Sequence, residues 1–330
     1  MTEKRYVLCR PVSGLNDTLC QFEICRAYAE RTGRILVVDG RISAGILTEF
    51  GDYFQMKGDR HIFRMTSPEL PNLESLDCYP PEVFGRLFTL SHSAHPDPAA
   101  RFGANVVDSD RLVSLRFDPR QDYPERLLLR QQWGGTTQSF RALKHLTLVP
   151  ELATRVRAAI ENLPRGYAAL HLRNTDYRTD IAAVIQVLRD QIDRRDLLVC
   201  SDDPTAFDQV SQGLPATRVH RLTVPPFDDG KPLHISAKSH GSEIRRRVAS
   251  DAILDLCALA GASTLFTAHL IAQDGTSSIK KSGFSRLAER LGGEKKRLRW
   301  FLGPVGRGML RGIDTGNIIT IDGSAQSRAF

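Results

Sequence analysis

The chain has 330 residues, of which 41% are hydrophobic and 25% charged, and its formal net charge is +7. This composition is typical of a globular protein long enough for two packed domains, and it excludes a disordered chain, a collagen and a small disulfide scaffold. No apolar stretch of the sequence approaches the roughly 20 residues of a membrane-spanning helix. The first residues lack the pattern of a signal peptide, so we expect a cytoplasmic protein.

The six cysteines and nine histidines show no spacing typical of a metal site. The cysteines stand mostly inside apolar runs, which indicates buried, reduced thiols. We therefore predict no metal site.

The N-terminal part opens with a strand–helix–strand pattern. The apolar run Tyr6–Cys9 predicts a buried strand, and apolar residues over 19–29 recur at helical spacing. Asn16 or Asp17 is placed to cap this helix, and Gly33 to end it in the left-handed conformation. A second apolar strand follows Gly33 directly, so the pattern predicts a parallel sheet.

The region from about 40 to 140 is rich in proline, aspartate and serine, and it predicts long loops. Regular alternation returns after Pro150. It predicts helices over 151–163, 181–192, 250–260 and 284–291, and strands over 167–172, 197–200, 218–222 and 264–266. This pattern indicates a second Rossmann-like half. We predict an α/β protein with two Rossmann-like domains, 1–150 and 151–330, that face a cleft.

Several common active-site motifs are absent from the sequence. It contains no G-x-G-x-x-G after a strand, no G-x-x-x-x-G-K-[ST] and no G-x-S-x-G. These absences disfavour a nicotinamide dehydrogenase, a P-loop kinase and an α/β-hydrolase.

The segment His171–Asp176 is the most informative part of the chain. It follows a predicted buried strand, and open α/β sheets bind ligands at the carboxyl ends of their strands. Arg173 is placed there to fork onto a phosphate, with Asn174 and Thr175 as further donors. Taken alone, an arginine at a strand end is equally typical of a surface ion pair.

With three other stretches, this segment resembles the H-x-R-R-x-D motif of the GDP-fucose-dependent fucosyltransferases, which include nodulation-type α-1,6, α-1,2 and protein O-fucosyltransferases. The other stretches resemble the family's N-terminal glycine loop and helix, the polar end of a mid-domain strand, and a D-x-x-x-D helix followed by S-x-F/S-R; they are Ser13–Asp39, Ser201–Asp203 and Asp251–Ala288. The order and spacing agree with the family, and the resemblance spans residues from about 5 to 290.

The resemblance implies a GT-B fold and an inverting, metal-independent transfer of fucose from GDP-fucose to a glycan hydroxyl, with no cofactor beyond the donor. Arg173 would hold the β-phosphate and stabilise the leaving pyrophosphate. A helix N-terminus near Ser282 would add donors. Asn16 and Asp17 would lie on the acceptor side. The positions implied to border the nucleotide sugar are His171, Asn174, Ser201, Asp202, Asp251, Asp255, Ser277, Ser278, Gly283, Phe284 and Ser285.

Some assignments stay open at this point. Asn174 stands where many members carry a second arginine, so the donor sugar is open, and another nucleotide-sugar donor or a non-catalytic glycan- or nucleotide-binding protein are alternatives. Asp176 and Asp180 are candidates for the general base, the alternative being a turn or capping role.

Asp251 or Asp255 is a candidate to hold the base, ribose or sugar, whereas an exposed helix position is the alternative for Asp255. His234 and His240 are expected in a surface loop.

The segment Leu291–Gly312 carries six basic residues against Glu294 alone, with Trp300 and Phe301 in its middle. This pattern indicates contact with a membrane surface, at its inner face, or with an anionic ligand. A solvated basic face is the alternative. No nucleic-acid-binding motif is recognisable, and we predict no nucleic-acid partner.

Overall fold

The computed structural model describes residues 3–41, 46–57, 63–65, 67–97, 104–135, 137–192, 195–227, 229–272, 278–279, 281–293, 295–304 and 317–321. The chain divides into two compact units, Met1–Leu146 and Thr147–Phe330. This division lies within a few residues of the predicted boundary. That the first domain serves the acceptor, and that the second, with its basic C-terminal segment, binds the nucleotide sugar, stays a prediction.

The first unit is built on a five-stranded parallel sheet in the order β4-β2-β1-β8-β5. β6 and β7 form an antiparallel hairpin. The elements are β1 Tyr6–Pro11, α1 Leu15–Thr32, β2 Ile35–Val38, β3 Phe54–Met56, β4 Phe63–Arg64, β5 Cys78–Tyr79, β6 His92–Pro96, β7 Ala104–Asp108, β8 Leu127–Gln132 and α2 Gln138–His145; β9, Leu146–Leu148, spans the division.

The predicted strand–helix–strand unit and its parallel pairing are confirmed by β1, α1 and β2. Gly33 ends α1 with φ of 65°, in the left-handed region that glycine adopts at no steric cost. The predicted cap is wrong. Gly14 is the N-cap, so Asn16 and Asp17 lie inside the first turn of α1.

The expectation of long loops over 40–140 is wrong for β8, a fully buried strand beside β1 at the centre of the sheet. Its second half is polar, which hides it in the sequence. Two of its three buried polar side chains have partners: Arg130 donates to Gln21 Oε1 at 2.7 Å, and Gln132 donates to the Val106 carbonyl at 3.0 Å, whereas the Gln131 side chain has none among the described residues. Satisfied polar side chains can be buried in a central strand because their hydrogen bonds replace those to water.

The second unit has a parallel sheet in the order β13-β12-β10-β14-β17. A small antiparallel sheet, β11-β15-β16, accompanies it. The elements are α3 Pro150–Glu161, β10 Ala168–Leu172, β11 Tyr177–Arg178, α4 Ile181–Gln191, β12 Leu197–Ser201, α5 Pro204–Gly213, β13 Val219–His220, α6 Leu233–Ser236, α7 Ser242–Gly261, β14 Thr264–Ala268, β15 Leu270–Ala272, β16 Ser278–Ile279, α8 Gly283–Gly292, α9 Lys295–Phe301 and β17 Asn317–Ile321.

Every helix and strand predicted after Pro150 is present, with ends shifted by a few residues, except that α7 begins at Ser242, well before its predicted start. α5 was not predicted, although Asp203–Pro204 is a typical helix start, with an N-cap aspartate and proline in the first turn. The chain extends the sheet from β10 through β12 to β13, then crosses to the other side of β10 for β14. In open α/β sheets ligands bind at such a switch point.

Buried aliphatic side chains cover the central strands of both sheets, for example Leu8 and Leu129 in the first unit and Leu170 and Val199 in the second. All six cysteines are free and buried, as predicted. Within the described ranges, no helix has both the length and the apolar character needed to cross a bilayer.

Candidate functional site

The candidate site lies where β10 and β12 end in the second sheet. The two strands are parallel, with Leu172 opposite Ser201, so the polar residues that follow each strand meet at one edge. The N-terminus of α8 and the middle of α7 contribute to the same edge through the contacts of His171 and Cys200 described below. This is the edge at which the sequence predicts ligand binding.

Arg173 and Asp176 form a two-point ion pair. Nε of the guanidinium donates to Oδ1 at 2.6 Å and Nη2 to Oδ2 at 2.5 Å, and the guanidinium lies 5.2 Å from the centre of the Tyr177 ring. The side chains are 27% and 34% exposed. Burial lowers the pKa of Arg173, but the hydrogen bonds and charge of Asp176 outweigh it, so the pKa is raised. Among the described residues Nη1 has no protein partner, so a charged donor is left for an anion.

His171 connects β10 to α8. Its Nδ1 lies 2.8 Å from Ser285 Oγ, and its ring packs on Phe284 with centres 5.0 Å apart. Burial, with a smaller contribution from the charge of Arg173, lowers the pKa of His171 to about 3. The imidazole is therefore neutral at physiological pH and serves as a hydrogen-bonding group.

The N-terminus of α8 is capped within the protein. Ser282 accepts a hydrogen bond from the Ser285 backbone N–H at 2.9 Å, and Gly283 and Phe284 are the first two helical residues. Amides in the first turn of a helix have no acceptor inside the helix, and the helix dipole makes this end attractive to anions. The predicted helix start near Ser282 is confirmed.

Asn174, Thr175 and the β12 residues bind one another. The Asn174 backbone N–H donates to Asp202 at 2.8 Å, its side chain donates to Asp203 at 2.6 Å, and Thr175 donates to Asp202 at 2.7 Å. Ser201 accepts from the Asp203 N–H at 3.1 Å. Burial raises the pKa of Asp202, although these hydrogen bonds counteract it. Asn174 and Thr175 therefore link the ends of two strands, and their expected role as phosphate donors stays a prediction.

Asp255 is buried in α7, so the alternative of an exposed helix position is wrong. Its Oδ2 accepts a hydrogen bond from Thr223 at 2.6 Å. Among the described residues its Oδ1 has no hydrogen-bond partner, and the weak donor Cys200 Sγ interacts with the carboxylate. Burial raises the pKa of Asp255 to about 7.

Asp251, one turn earlier in α7, contacts different partners. Arg155 of α3 donates to its Oδ1, and Arg247 Nε lies 3.6 Å from its Oδ2. Because both oxygens face cations, Asp251 ties α3 to α7, and its predicted role in nucleotide binding stays a prediction.

Asp180 is the exposed N-cap of α4, where its Oδ1 accepts from the Ala183 N–H at 2.9 Å. This contact matches the capping alternative, since a side-chain oxygen at this position satisfies an otherwise unpaired amide. A role as general base stays a prediction.

The remaining predicted positions lie in three places. Ser278 is in β16, and Ser277 lies outside the described residues. Asn16 and Asp17 stand in the first turn of α1, at the carboxyl end of β1 in the first unit, and Asn16 Oδ1 accepts from Ser139 Oγ at 2.7 Å. Their acceptor-side role stays a prediction.

His234 is within range of the Arg173 charge, which the sequence does not predict. It lies in α6, half-buried, and not in the expected surface loop. Burial lowers its pKa to about 4, and the charge of Arg173 lowers it further. Ser236 holds α6 in place by donating to Asp229 at 2.8 Å. No sequence motif marks a single histidine of this kind, whereas His240 is exposed as expected.

In the part of the chain that the structure describes, no group of three or more histidine, cysteine, aspartate or glutamate side chains is arranged to hold a metal ion.

Comparison with known proteins yields solved structures only. No model of a known protein family matches the chain, and no curated protein does. A crystal structure of NodZ α-1,6-fucosyltransferase soaked with GDP-fucose matches this chain with 18% sequence identity and a TM-score of 0.55. The match covers 88% of this chain and 94% of the NodZ chain. A crystal structure of fucosyltransferase NodZ from Bradyrhizobium matches with 17% sequence identity and a TM-score of 0.53, and the match covers 87% of this chain and 93% of that one.

POFUT1 in complex with GDP is 14% identical, with 96% of this chain and 99% of its own covered and a TM-score of 0.51. At sequence identities this low, the structural likeness shows the fold alone. The chain has the fold of these GT-B fucosyltransferases, which confirms the predicted fold class.

Proposed function

We propose that this chain is a glycosyltransferase that binds GDP-fucose in its second unit and transfers fucose to a glycan hydroxyl, with inversion and without a metal ion. The observation that carries the proposal is the partly exposed Arg173 guanidinium, held on one edge by Asp176 at the end of β10. Structures of the same fold hold GDP-fucose in NodZ and GDP in POFUT1.

The Arg173 guanidinium suits a pyrophosphate leaving group. Asp176 occupies Nε and one Nη2 proton, so Nη1 and the outer edge are left to donate to a phosphate. As the bond between sugar and phosphate breaks, negative charge grows on the β-phosphate, and a fixed cation stabilises this charge more than that of the intact donor. The amides that open α8 add donors of the same kind. Asp176 is on this basis a positioning residue for Arg173, and Asp180 is the candidate base.

Asp255 favours guanine as the nucleobase of the donor. Guanine presents its N1–H and exocyclic amino group side by side, and a carboxylate accepts from both. The buried Asp255 carboxylate lies at the carboxyl end of β12, next to Cys200, with one oxygen that lacks a strong donor in the described part of the protein. Uracil and cytosine do not present this pair of donors. We therefore expect GDP to bind in preference to UDP and CMP.

A melting-temperature panel with GDP, GDP-fucose, UDP, CMP and NAD tests nucleotide binding. At a concentration about 100 times its dissociation constant, a ligand stabilises the folded state by about 2.7 kcal/mol. We expect GDP and GDP-fucose to raise the melting temperature, and UDP, CMP and NAD to leave it unchanged. An equal response to all nucleotides would contradict the guanine assignment, and a response to UDP alone would favour the alternative donor.

Release of GDP from GDP-fucose tests catalysis, because water can replace the glycan as acceptor. We expect release that glycan acceptors accelerate and that excess chelator does not reduce. Activity that is lost in chelator and restored by Mg²⁺ or Mn²⁺ would contradict a metal-independent transfer. Tight GDP binding without any turnover would favour the non-catalytic alternative.

A further inference from the structure

The second unit carries a basic face on α8 and α9, which consists of Arg286, Arg290, Lys296, Arg297, Arg299 and Trp300. The apolar residues of these helices point inward: Leu287, Leu291, Leu298 and Phe301 are buried. Arg286, Arg290 and Lys296 are exposed. Arg297 donates to the Arg290 carbonyl at 2.9 Å, which joins the end of α8 to α9, so the cations of the two helices form one surface.

The basic face is almost free of opposing charge within its own helices. In the described residues 281–293 and 295–304 the single acidic residue is Glu289, and Lys281 pairs with it at 2.5 Å. The other basic residues predicted in this region, Arg307 and Arg311, lie outside the described residues. Such a concentration of positive charge is complementary to a polyanionic surface.

The exposure of Trp300 favours a lipid surface over other polyanions as the partner of the basic face. Its side chain is 61% exposed, which is unusual for the largest apolar side chain, and it stands among the cations of α9. An indole ring is favoured at the interface between headgroups and acyl chains, where its ring is shielded from water and its N–H stays hydrogen-bonded. Basic residues next to an exposed tryptophan are typical of helices that lie on an anionic bilayer.

We propose that the basic face of α8 and α9 docks the protein on an anionic lipid bilayer. The inference does not depend on the proposed function. It does have a consequence for the candidate site, because Ser282 at the N-terminus of α8 contributes to that site while Arg290 near its C-terminus lies on the basic face. A helix of ten residues is about 15 Å long. Docking would therefore hold the site within a short distance of the headgroups.

Co-sedimentation of the full-length protein with phosphatidylcholine vesicles, with and without phosphatidylglycerol, tests the proposal. We expect binding to the anionic vesicles alone, weakened as salt rises to about 0.15 M. Each basic side chain near an anionic surface contributes about fivefold to the partition coefficient, equivalent to about 1 kcal/mol. The triple variant Arg286→Ala/Arg290→Ala/Lys296→Ala should therefore bind about 100-fold more weakly.

A matched control removes the same charge from exposed residues of the first unit, Lys4→Ala/Arg111→Ala/Arg120→Ala. The control should keep most of the binding, because its residues lie outside the basic face. Equal losses in both triple variants would overturn the proposal, since net charge alone would then explain binding. Absence of binding to the anionic vesicles in low salt would also overturn it.

Tryptophan fluorescence separates insertion from simple electrostatic attraction. The chain has two tryptophans, and Trp133 is half-buried in the first unit. We expect a blue shift on adding anionic vesicles that persists in Trp133→Phe and disappears in Trp300→Ala, with circular dichroism as the folding control. Binding to double-stranded DNA or polyphosphate with no blue shift on vesicles would overturn the proposal in favour of a soluble polyanion.

Discussion

The two parallel sheets present the same pair of residues at the end of a central strand, in opposite environments. In the first unit Arg10 of β1 pairs with Asp39 just beyond β2, and both side chains are 0% exposed. In the second unit Arg173 follows β10 and pairs with Asp176, and both side chains are partly exposed. The environment, and not the residue type, separates a structural ion pair from a candidate ligand site.

The other contacts of the two arginines follow the same division. Arg10 also donates to the Leu87 carbonyl at 2.6 Å, and burial lowers its pKa even though Asp39 raises it. The pKa of Arg173 is raised, because the hydrogen bonds of Asp176 outweigh burial. A fully buried cation has no access to a ligand and is costly to leave unpaired, whereas a partly exposed cation can exchange water for a phosphate.

Arg10→Ala is expected to have the largest effect, and on stability. Removing Arg10 takes the buried counter-charge from the buried Asp39 carboxylate and leaves beside it the partly exposed Arg41, so the cost is at most about 3–5 kcal/mol. We expect the free energy of unfolding in urea to fall by that amount. Arg41→Ala is the matched control, because Arg41 contacts the same Asp39 at 3.1 Å from a side chain that is 39% exposed. Its loss should cost about 1 kcal/mol or less, and equal losses would refute the comparison.

Arg173→Ala is expected to act on function and to leave the fold intact. Losing charge-assisted hydrogen bonds to the pyrophosphate should cost about 2–5 kcal/mol in the transition state, which is about 30- to several-thousand-fold in turnover of GDP-fucose. Arg173→Lys should restore part of the rate, because a point charge cannot reproduce the two-pronged guanidinium contact.

The unfolding free energy of both Arg173 variants should change by about 1 kcal/mol or less, since the pair is partly exposed. Asn174→Ala is a neighbouring control that removes neutral donors already bound to Asp203. A well-folded Arg173→Ala protein with wild-type turnover would remove the central support for the proposed function.

Asp255 extends the comparison to a buried group whose charge depends on pH. Burial raises the pKa of Asp255 to about 7. The unfolded chain loses this proton near pH 3.8 and the folded protein near pH 7, so stability falls as pH rises through this window. Asp255→Asn removes the ionisation, and its gain in unfolding free energy over the wild type should grow from pH 4 to 7, by at most about 4 kcal/mol.

The affinity for GDP should change with pH in the direction opposite to stability, because both depend on the ionisation of Asp255. In the proposed function the ionised carboxylate binds guanine, so the GDP affinity of the wild type should increase as pH rises through about 7. Urea titrations and calorimetry at several pH values measure the two effects. A GDP affinity in Asp255→Asn equal to that of the wild type at pH 8 would separate Asp255 from the base-binding site.

Much of the second unit could be predicted from the sequence because its strands are short apolar runs between helices with clear periodicity, as in Leu197–Cys200. The same reasoning failed for β8, where Arg130 and Gln132 interrupt the apolar pattern. Their burial depends on partners more than 20 residues away in the chain, which no local pattern contains.

The candidate site shows the same limit. The position of Arg173 at a strand end follows from local sequence, and so does the start of α8 at Ser282. The hydrogen bond of the Asn174 side chain to Asp203 and the effect of the Arg173 charge on His234 depend on how separate segments meet. Residue type and element predict which groups reach an edge of the sheet, whereas tertiary contacts decide which of them are free to bind.

Substitution of Asp180 is expected to have the smallest effect on stability. It tests whether this exposed carboxylate serves as a helix cap or as a general base. If its carboxylate only caps α4, Asp180→Ala should lower the free energy of unfolding by about 1 kcal/mol and leave turnover within a few-fold, because an exposed Ala183 amide loses its acceptor. Asp180→Ser should restore the stability, since a serine hydroxyl is an equivalent cap. A general base would behave differently: both variants would lose about 10²- to 10⁴-fold in transfer rate, and serine would restore stability without restoring activity. Comparing unfolding in urea with transfer rates for both variants therefore decides between the cap and the base.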